Sequence, residues 1–235
     1  MILKTSDKTI DFKTLGYQLK TKSYDQSPSK NYTKETVIGG IKEFVFENGL
    51  KNKKINVVLQ CLDSISLATR RINARDITPS LLNGGELTLD YEPDIYWNVK
   101  VLNNTSIDFG VAYDTLSIEF DAEPMAYKRY TATEIAIDGT DINITNSGNC
   151  PSYPLIEING TGNITLTHSD GNAFTITGLT GTIFIDTENM IVYDDLKASQ
   201  LSKFTGDFLN LDVGSNIIST SGTGTIKIHK KDRVI

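Results

Sequence analysis

Cysteine, histidine and tryptophan are scarce in this 235-residue chain: two, two and one. Each scarcity excludes something. Cys61, in the apolar run VVLQCL, and Cys150, beside Pro151, fit no zinc-ligand spacing. They are expected to be two free thiols of a chain folded in a reducing cytoplasm, not a disulfide framework. His168 and His229 each end an alternating strand run without metal-ligand spacing, so both are expected at strand edges or on the surface. No Gly-x-Ser-x-Gly, phosphate-binding loop, dinucleotide fingerprint or His-Glu-x-x-His occurs. Carboxylate pairs such as Asp194-Asp195 are ordinary in an acidic chain. The reading is a protein without catalysis, required metal or cofactor.

Long hydrophobic runs are also missing. Nothing approaches the roughly 20 apolar residues of a membrane-spanning helix, so no membrane partner is expected. The opening MILKTSDKTIDFK has Lys4 and no apolar stretch after it, unlike a secretory signal. Basic charge runs short in the second half. Residues 1–130 carry 17 Lys+Arg and 17 Asp+Glu, whereas 131–235 carry 6 and 12, which accounts for the whole net charge of −6. A pI near 5 argues against phosphate-backbone binding as the main task. It is compatible with a passage that DNA crosses without adhering.

What is present is a period of two. Leu87, Leu89 and Tyr91 alternate with polar residues, as do Ile95, Trp97, Val99 and Val101, and Leu116, Ile118 and Phe120. Further on, Ile164/Leu166, Phe174/Ile176, Ile183/Ile185 and Ile226/Ile228 do the same. This reads as half-buried antiparallel strands. Asn48-Gly49, Asn83-Gly84, Asp138-Gly139, Asn159-Gly160 and Asp170-Gly171 read as turns between them. Many short strands with regular turns indicate sandwiches or barrels. One helix interrupts them, over roughly residues 65–74. Asp63 or Ser64 is its expected cap, Ile65, Ala68 and Ile72 its expected apolar face, and Pro79 its expected stop after Thr78. Arg70, Arg71 and Arg75 fall on its polar face, as a solvated surface or as a contact with a neighbouring subunit.

Composition shifts near residue 130, where lysine gives way to Thr, Asn, Gly and Ile. Two domains are expected, 1–130 and 131–235. The stretch NSGNCPSYPLIEINGTGNITLTH, from Asn146 to His168, is read as a long turn and a hairpin of the second domain. In the first, Ser29 to Leu50 contains Ile38-Gly39-Gly40-Ile41 and Asn48-Gly49 and can form a hairpin projecting beyond the sandwich. DGTDIN, Asp138 to Asn143, offers oxygen ligands but lacks calcium-loop spacing and reads as an Asx turn. The Asn-x-Ser/Thr sites reflect Thr- and Asn-rich strands and turns. A glycan-binding adhesin is the alternative function, resting on the second domain's Tyr153, Tyr193, Phe174, Phe184, Phe204 and Phe208.

The order of these pieces resembles the distal tail protein (Dit) family of siphophages, hubs of the tail-tip baseplate. The segments concerned are INVVLQCLD followed by SISLATRRINARD; ELTLDYEPDIYWNVKV with its Glu92-Pro93-Asp94 turn; the strand ending Asp121 to Pro124; the Asn146–Asn149 turn with PLIEINGTG; and GDFLNLDVGSNII. The motifs are diffuse and structural, and they span nearly the whole chain. At Ile38-Gly39-Gly40 the family pattern has an Arg or Asp between the glycines.

The resemblance implies two antiparallel β-sandwiches, the first with a helix and a projecting hairpin, the second galectin-like. It implies a homo-hexameric ring, single or back to back, joining the tail tube protein to tail-associated or tape-measure proteins. Its lumen would pass DNA without specific binding, and its outer domains would hold receptor-binding proteins. The location implied is the virion tail tip, after synthesis in the host cytoplasm. Gly39, Gly40, Arg70, Arg71 and Arg75 are the candidate subunit-interface residues.

Overall fold

The computed structural model describes residues 1–24, 28–36, 42–61, 65–101, 106–109, 114–132 and 134–235. The chain divides into two compact units, Met1–Ala126 with Ile235, and Tyr127–Val234. The sequence shift at 130 lies four residues beyond that division. Both units are built from antiparallel sheet, and the protein is mainly β.

The first unit contains β1 (Ile2–Lys4), β2 (Thr9–Asp11), β3 (Tyr17–Tyr24), β4 (Lys30–Thr36), β5 (Glu43–Leu50), β6 (Lys53–Cys61), α1 (Leu67–Leu82), β7 (Gly85–Leu89), β8 (Glu92–Lys100), β9 (Ser106–Phe109) and β10 (Asp114–Ala122). Its main sheet runs β2-β1-β7-β8-β10-β6-β3, with β9 against β10. Alternation sets the register. Ile55, Val57 and Leu59 lie opposite Phe120, Ile118 and Leu116, and all six are buried. Leu87 faces Trp97 in the same core, where Leu3, Phe12 and Leu81 also pack. β4 and β5 pair only with each other.

The helix departs from expectation in three ways. It runs from Leu67 to Leu82, through Pro79. Its buried face is Arg70, Ala74, Ile77 and Leu81, whereas Ala68 and Ile72 point to solvent. Ser66 caps it, accepting the Thr69 N–H at 3.2 Å; Asp63 and Ser64 lie outside the described residues. A helix-interior proline costs about 3 kcal/mol. Burying Ile77 and Leu81 contributes roughly 1.5–3 kcal/mol each, which offsets it. Pro79 and Arg75 are both exposed, so the face that loses a backbone donor has access to water.

β11 (Ala126–Lys128) starts at the division, and the second unit goes on with β12 (Glu134–Ile137), β13 (Ile142–Asn146), β14 (Leu155–His168), β15 (Ala173–Asp186), β16 (Ile191–Asp194), β17 (Phe204–Gly206), β18 (Gly214–His229) and β19 (Arg233–Val234). Its sheet runs β12-β18-β14-β15-β16, with β13 on β18 and β17 on β15. Asp138-Gly139 and Asp170-Gly171 are turns, as expected. Asn159-Gly160 is not, because β14 passes through it without a break.

Gly160 lies opposite Gly181 on one neighbour and Gly224 on the other, and a β-bulge follows at Gly162/Ile164. A Cβ at Gly160 would stand 2.5 Å from the Thr223 carbonyl oxygen. This row of glycines lets three long strands turn a corner together. Ile156 and Ile158 on one side of it, and Ile164 and Leu166 on the other, then enter one core. Asn48-Gly49 is likewise no terminal turn. It sits inside β5 beside a register shift, with Gly49 at φ +82°. Asn83-Gly84 ends α1, with Gly84 at φ +66°.

The Asn146–Cys150 turn is held from within. Asn146, 1% exposed, donates to the Cys150 and Leu211 carbonyls at 2.9 and 3.1 Å and accepts the Gly148 N–H at 2.9 Å. Buried Asp232 accepts the Ser147 N–H and hydroxyl at 2.9 and 2.8 Å. A Cβ on Gly148 would stand 2.1 Å from the Arg233 carbonyl oxygen, so only glycine fits. The motif singled out in sequence is structural.

Candidate assembly surface

The β4–β5 ribbon forms a two-stranded arm. Every residue from Tyr32 to Thr36 and from Glu43 to Gly49 is exposed. Cross-strand partners share a face, so the register sorts the arm into two sides. Thr33 pairs with Phe46 and Glu35 with Phe44, placing Phe44, Phe46, Thr33 and Glu35 on one side. Tyr32, Lys34, Glu43, Val45 and Glu47 occupy the other. Phe44, Val45, Phe46 and Tyr32 are each more than half exposed. Lys34–Glu43 at 3.2 Å and Lys30–Glu47 at 2.9 Å cross the ribbon. Exposed pairs of this kind contribute only about 0–1 kcal/mol each. A lone two-stranded ribbon is marginal in water, and exposed apolar side chains on both of its sides, Phe44 with Phe46 and Tyr32 with Val45, suit a ribbon that docks. Gly39 and Gly40, at the expected tip, lie outside the described residues.

The three candidate arginines separate. Arg71 and Arg75 are exposed on the outer side of α1. Arg70 is 7% exposed and points inward, its Nη1 lying 3.3 Å from Oδ2 of Asp114, which is 1% exposed. The expected polar-face position of Arg70 is therefore corrected: it sits on the helix's buried side, four and seven residues before Ala74 and Ile77. Tyr17 lies beside this pair. Burial pushes its phenol up to about 12, aided by Cys61 and Asp114 and opposed by Arg70. The ion pair, overlooked in the sequence because an arginine between polar neighbours reads as solvated, pins α1 to the start of β10.

Chemistry-bearing residues elsewhere do not converge. His168 is 4% exposed, against expectation. Its Nε2 lies 2.9 Å from Asn216 Oδ1 and its Nδ1 2.9 Å from Asp170 Oδ1, so polar partners compensate its burial. Hydrogen bonds from the Asn172 backbone, then from His168, hold Asp170 below the usual carboxylate range. His229 is on the surface, 3.7 Å from Glu157. Asp138 accepts the Thr140 N–H at 2.9 Å and the Thr140 hydroxyl, which is the expected Asx turn; these bonds lower its pKa. Asp141 instead accepts the Ser219 hydroxyl at 2.6 Å. Among the described residues no three His, Cys, Asp or Glu side chains gather as metal ligands. Cys61 and Cys150 form no disulfide. A cleft of about 780 Å³ in the first unit is lined by Asn52, Asn98, Asp121 and Glu123. Its carboxylates accept from amides, Asn52 to Asp121 at 2.7 Å and Asn98 to Glu123 at 3.0 Å.

Most aromatic residues of the second unit have at least one ring face covered, though Tyr153 is 38% exposed. Phe174 is buried, Phe204 stacks between it and Phe208, and Phe184 stacks on Tyr193. The Lys197 ammonium stands 4.1 Å above Tyr193, and the Arg233 guanidinium 4.5 Å above Tyr153. Among the described residues no helix is long and apolar enough to cross a membrane.

No family model and no curated protein matches this sequence. Solved structures do match. The chain is similar to the Dit protein (gp 19.1) of phage SPP1, described as a paradigm of the hub adsorption apparatus in phages that infect Gram-positive hosts. The TM-score is 0.64 at 13% identity, over 92% of this chain and 93% of that one. It is also similar to chains of the phage P2 baseplate in its activated conformation. With calcium the TM-score is 0.52 at 12% identity, and with strontium 0.54 at 11%, each over 98% of this chain and 97% of that one. The fold is thus one found in phage baseplates. More narrowly, it is the mainly β fold of the distal tail hub, carried over almost the entire length.

Proposed function

We propose that the protein is a structural component of a phage tail tip, a distal tail hub that works by assembly rather than catalysis. In this reading six copies close into a ring, singly or back to back, between the tail tube and the tail-tip proteins. DNA passes through the lumen, and the second unit, a galectin-like sandwich, gives receptor-binding proteins a place to attach. The observation that carries the reading is the near full-length fold likeness to a hub protein. The exposed apolar arm supports it, because a heterologous contact between unlike patches closes into a ring when the rotation fits. A net charge of zero over residues 1–130 supports a lumen that transmits DNA without retaining it. Burial of Phe174 and the stacking of Phe204, Phe208, Phe184 and Tyr193 on one another leave fewer free rings for sugar stacking, which counts against a free-standing adhesin.

Native mass spectrometry of the purified chain tests the reading. Six copies of a 25.9 kDa chain weigh about 155 kDa, and a ring of that mass or twice it is expected. A monomer or a two-fold dimer at micromolar concentration would overturn it.

A further inference from the structure

Three asparagines of this chain precede a glycine: Asn48, Asn83 and Asn159. A glycine nitrogen is the least hindered backbone nucleophile, because no Cβ stands beside it. The three sites are chemically alike, and only their surroundings separate them. Asn159 lies inside β14, where Gly160 is in register with Gly181 on one neighbour and Gly224 on the other, and the Thr223 carbonyl closes the space beside it. Asn83 is the C-cap of α1. There the Gly84 N–H donates to the Leu81 carbonyl at 3.1 Å, and Gly84 is buried against the Val99 carbonyl. Asn48-Gly49 has neither restraint. Both residues are exposed, and nothing lies within 4 Å of where a Gly49 Cβ would stand. The register of β4 on β5 passes from Tyr32 opposite Glu47 to Lys30 opposite Leu50, so neither Asn48 nor Gly49 has a cross-strand partner. The Asn48 amide donates to the Thr33 hydroxyl at 2.7 Å, an exposed bond.

We propose that Asn48-Gly49 is a spontaneous modification site, at which water converts the Asn48 amide into aspartate and isoaspartate. A base in the solvent takes the Gly49 N–H proton, and the nitrogen attacks Asn48 Cγ. The new C–N bond closes a cyclic imide as the Cγ–Nδ2 bond breaks, and Nδ2 leaves as ammonia with the proton the base had taken. Water then adds to one imide carbonyl, the ring C–N bond breaks and the Gly49 nitrogen regains a proton. Opening at Cγ restores the backbone as aspartate, and opening at the backbone carbonyl routes the chain through the side chain as isoaspartate. One water is consumed, one ammonia is released and nothing is oxidised or reduced. Ring closure requires both residues to leave the extended conformation. On a two-stranded ribbon a local opening suffices, whereas at Gly160 three strands have to part. The product loses the donor to Thr33 and gains a carboxylate beside Glu47. Isoaspartate also adds a methylene to the β5 backbone at the root of the arm, and the pairing beyond it shifts.

Peptide mapping by mass spectrometry tests it. The full chain is kept folded in warm, mildly alkaline buffer and sampled over weeks, with isoaspartate counted by enzymatic carboxyl methylation. The same chain unfolded in guanidinium is the reference, in which all three sites should convert at like rates because each is followed by glycine. In the folded chain Asn48 should convert at least roughly tenfold faster than Asn83 or Asn159, and close to its own unfolded rate. Asn48→Gln should remove isoaspartate from the peptide that carries residue 48 and leave the other two sites unchanged. Equal rates at the three sites of the folded chain, or faster conversion at Asn83 or Asn159, would overturn the proposal. So would an Asn48 amide that persists while the unfolded reference converts, or an isoaspartate signal in that peptide that survives Asn48→Gln. The reaction does not depend on the ring reading, so its failure leaves that reading standing.

Discussion

Asp114→Ala should destabilise the first unit far more than any surface substitution. The change strips Arg70 of its one ion-pair partner among the described residues, leaving a side chain that is 7% exposed on the buried side of α1. Breaking a buried pair from one side costs about 3–5 kcal/mol, because the surviving charge stays desolvated. In a unit of this size each kcal/mol moves the melting temperature by roughly 3–5 °C, so a fall of roughly 10–20 °C is expected. The pair itself is not the source of that energy. Replacing both members, Arg70→Met with Asp114→Leu, should leave stability within about 1 kcal/mol of the parent or raise it. The assay is thermal and urea unfolding of the two single variants and the double variant, closed as a double-mutant cycle. The second unit serves as an internal reference, since its transition should not move. Below the melting temperature, Arg70→Met/Asp114→Leu should assemble like the parent, because Arg70 faces inward. A loss under about 1 kcal/mol for Asp114→Ala, or equal losses for single and double variants, would refute the buried-pair account. Loss of assembly by the double variant with its fold intact would return Arg70 to the subunit interface.

Three further outcomes are expected. Gly160→Val should lower the second unit's stability by about 2 kcal/mol or more, since its side chain has the Thr223 carbonyl at 2.5 Å and Ile164 Cδ1 at 2.8 Å in its path; an unchanged urea midpoint would refute the glycine corner. Hydrogen bonds from Thr5 and then Ser80 hold Asp7 at about 2, so its stabilisation is complete above the unfolded carboxyl pKa near 4 and fades as pH falls toward 2; Asp7→Asn should flatten the acid limb, and an identical limb would count against this. Tyr17 is raised to about 12, so its contribution is full below about pH 10 and drains between 10 and 12; ultraviolet titration should show one late phenol that Tyr17→Phe abolishes.

The strands were legible because side chains alternate across a sheet whatever packs on it. Leu116, Ile118 and Phe120, or Ile183 and Ile185, announce their buried side with no partner in view. The hairpin between Ser29 and Leu50 and the Asp138 turn were legible for a different local reason, the turn-forming residues they contain. The helix was only half legible. Its existence and approximate start follow from local spacing, but both of its sides carry apolar residues. Sequence reasoning chose Ile65, Ala68 and Ile72 as the inner side; Ile65, just before the helix, does pack against the core, but within the helix the tertiary structure chose Arg70, Ala74, Ile77 and Leu81, because Asp114 pairs with the arginine and the β-sheet core receives Ile77 and Leu81. Pro79 reads as a stop locally, and only the burial of residues on either side of it keeps the last turn. Asn159-Gly160 reads as a turn because a dipeptide carries no information about its cross-strand neighbours. Gly181 and Gly224, about 20 and 60 residues away, turn it into the corner of a continuous strand. His168 was placed outside for lack of any sign of Asn216, 48 residues on. Periodicity is a property of neighbouring residues and is written in the chain itself. Compensation of a buried charge, a tolerated proline or a shared glycine row depends on residues that only folding brings together.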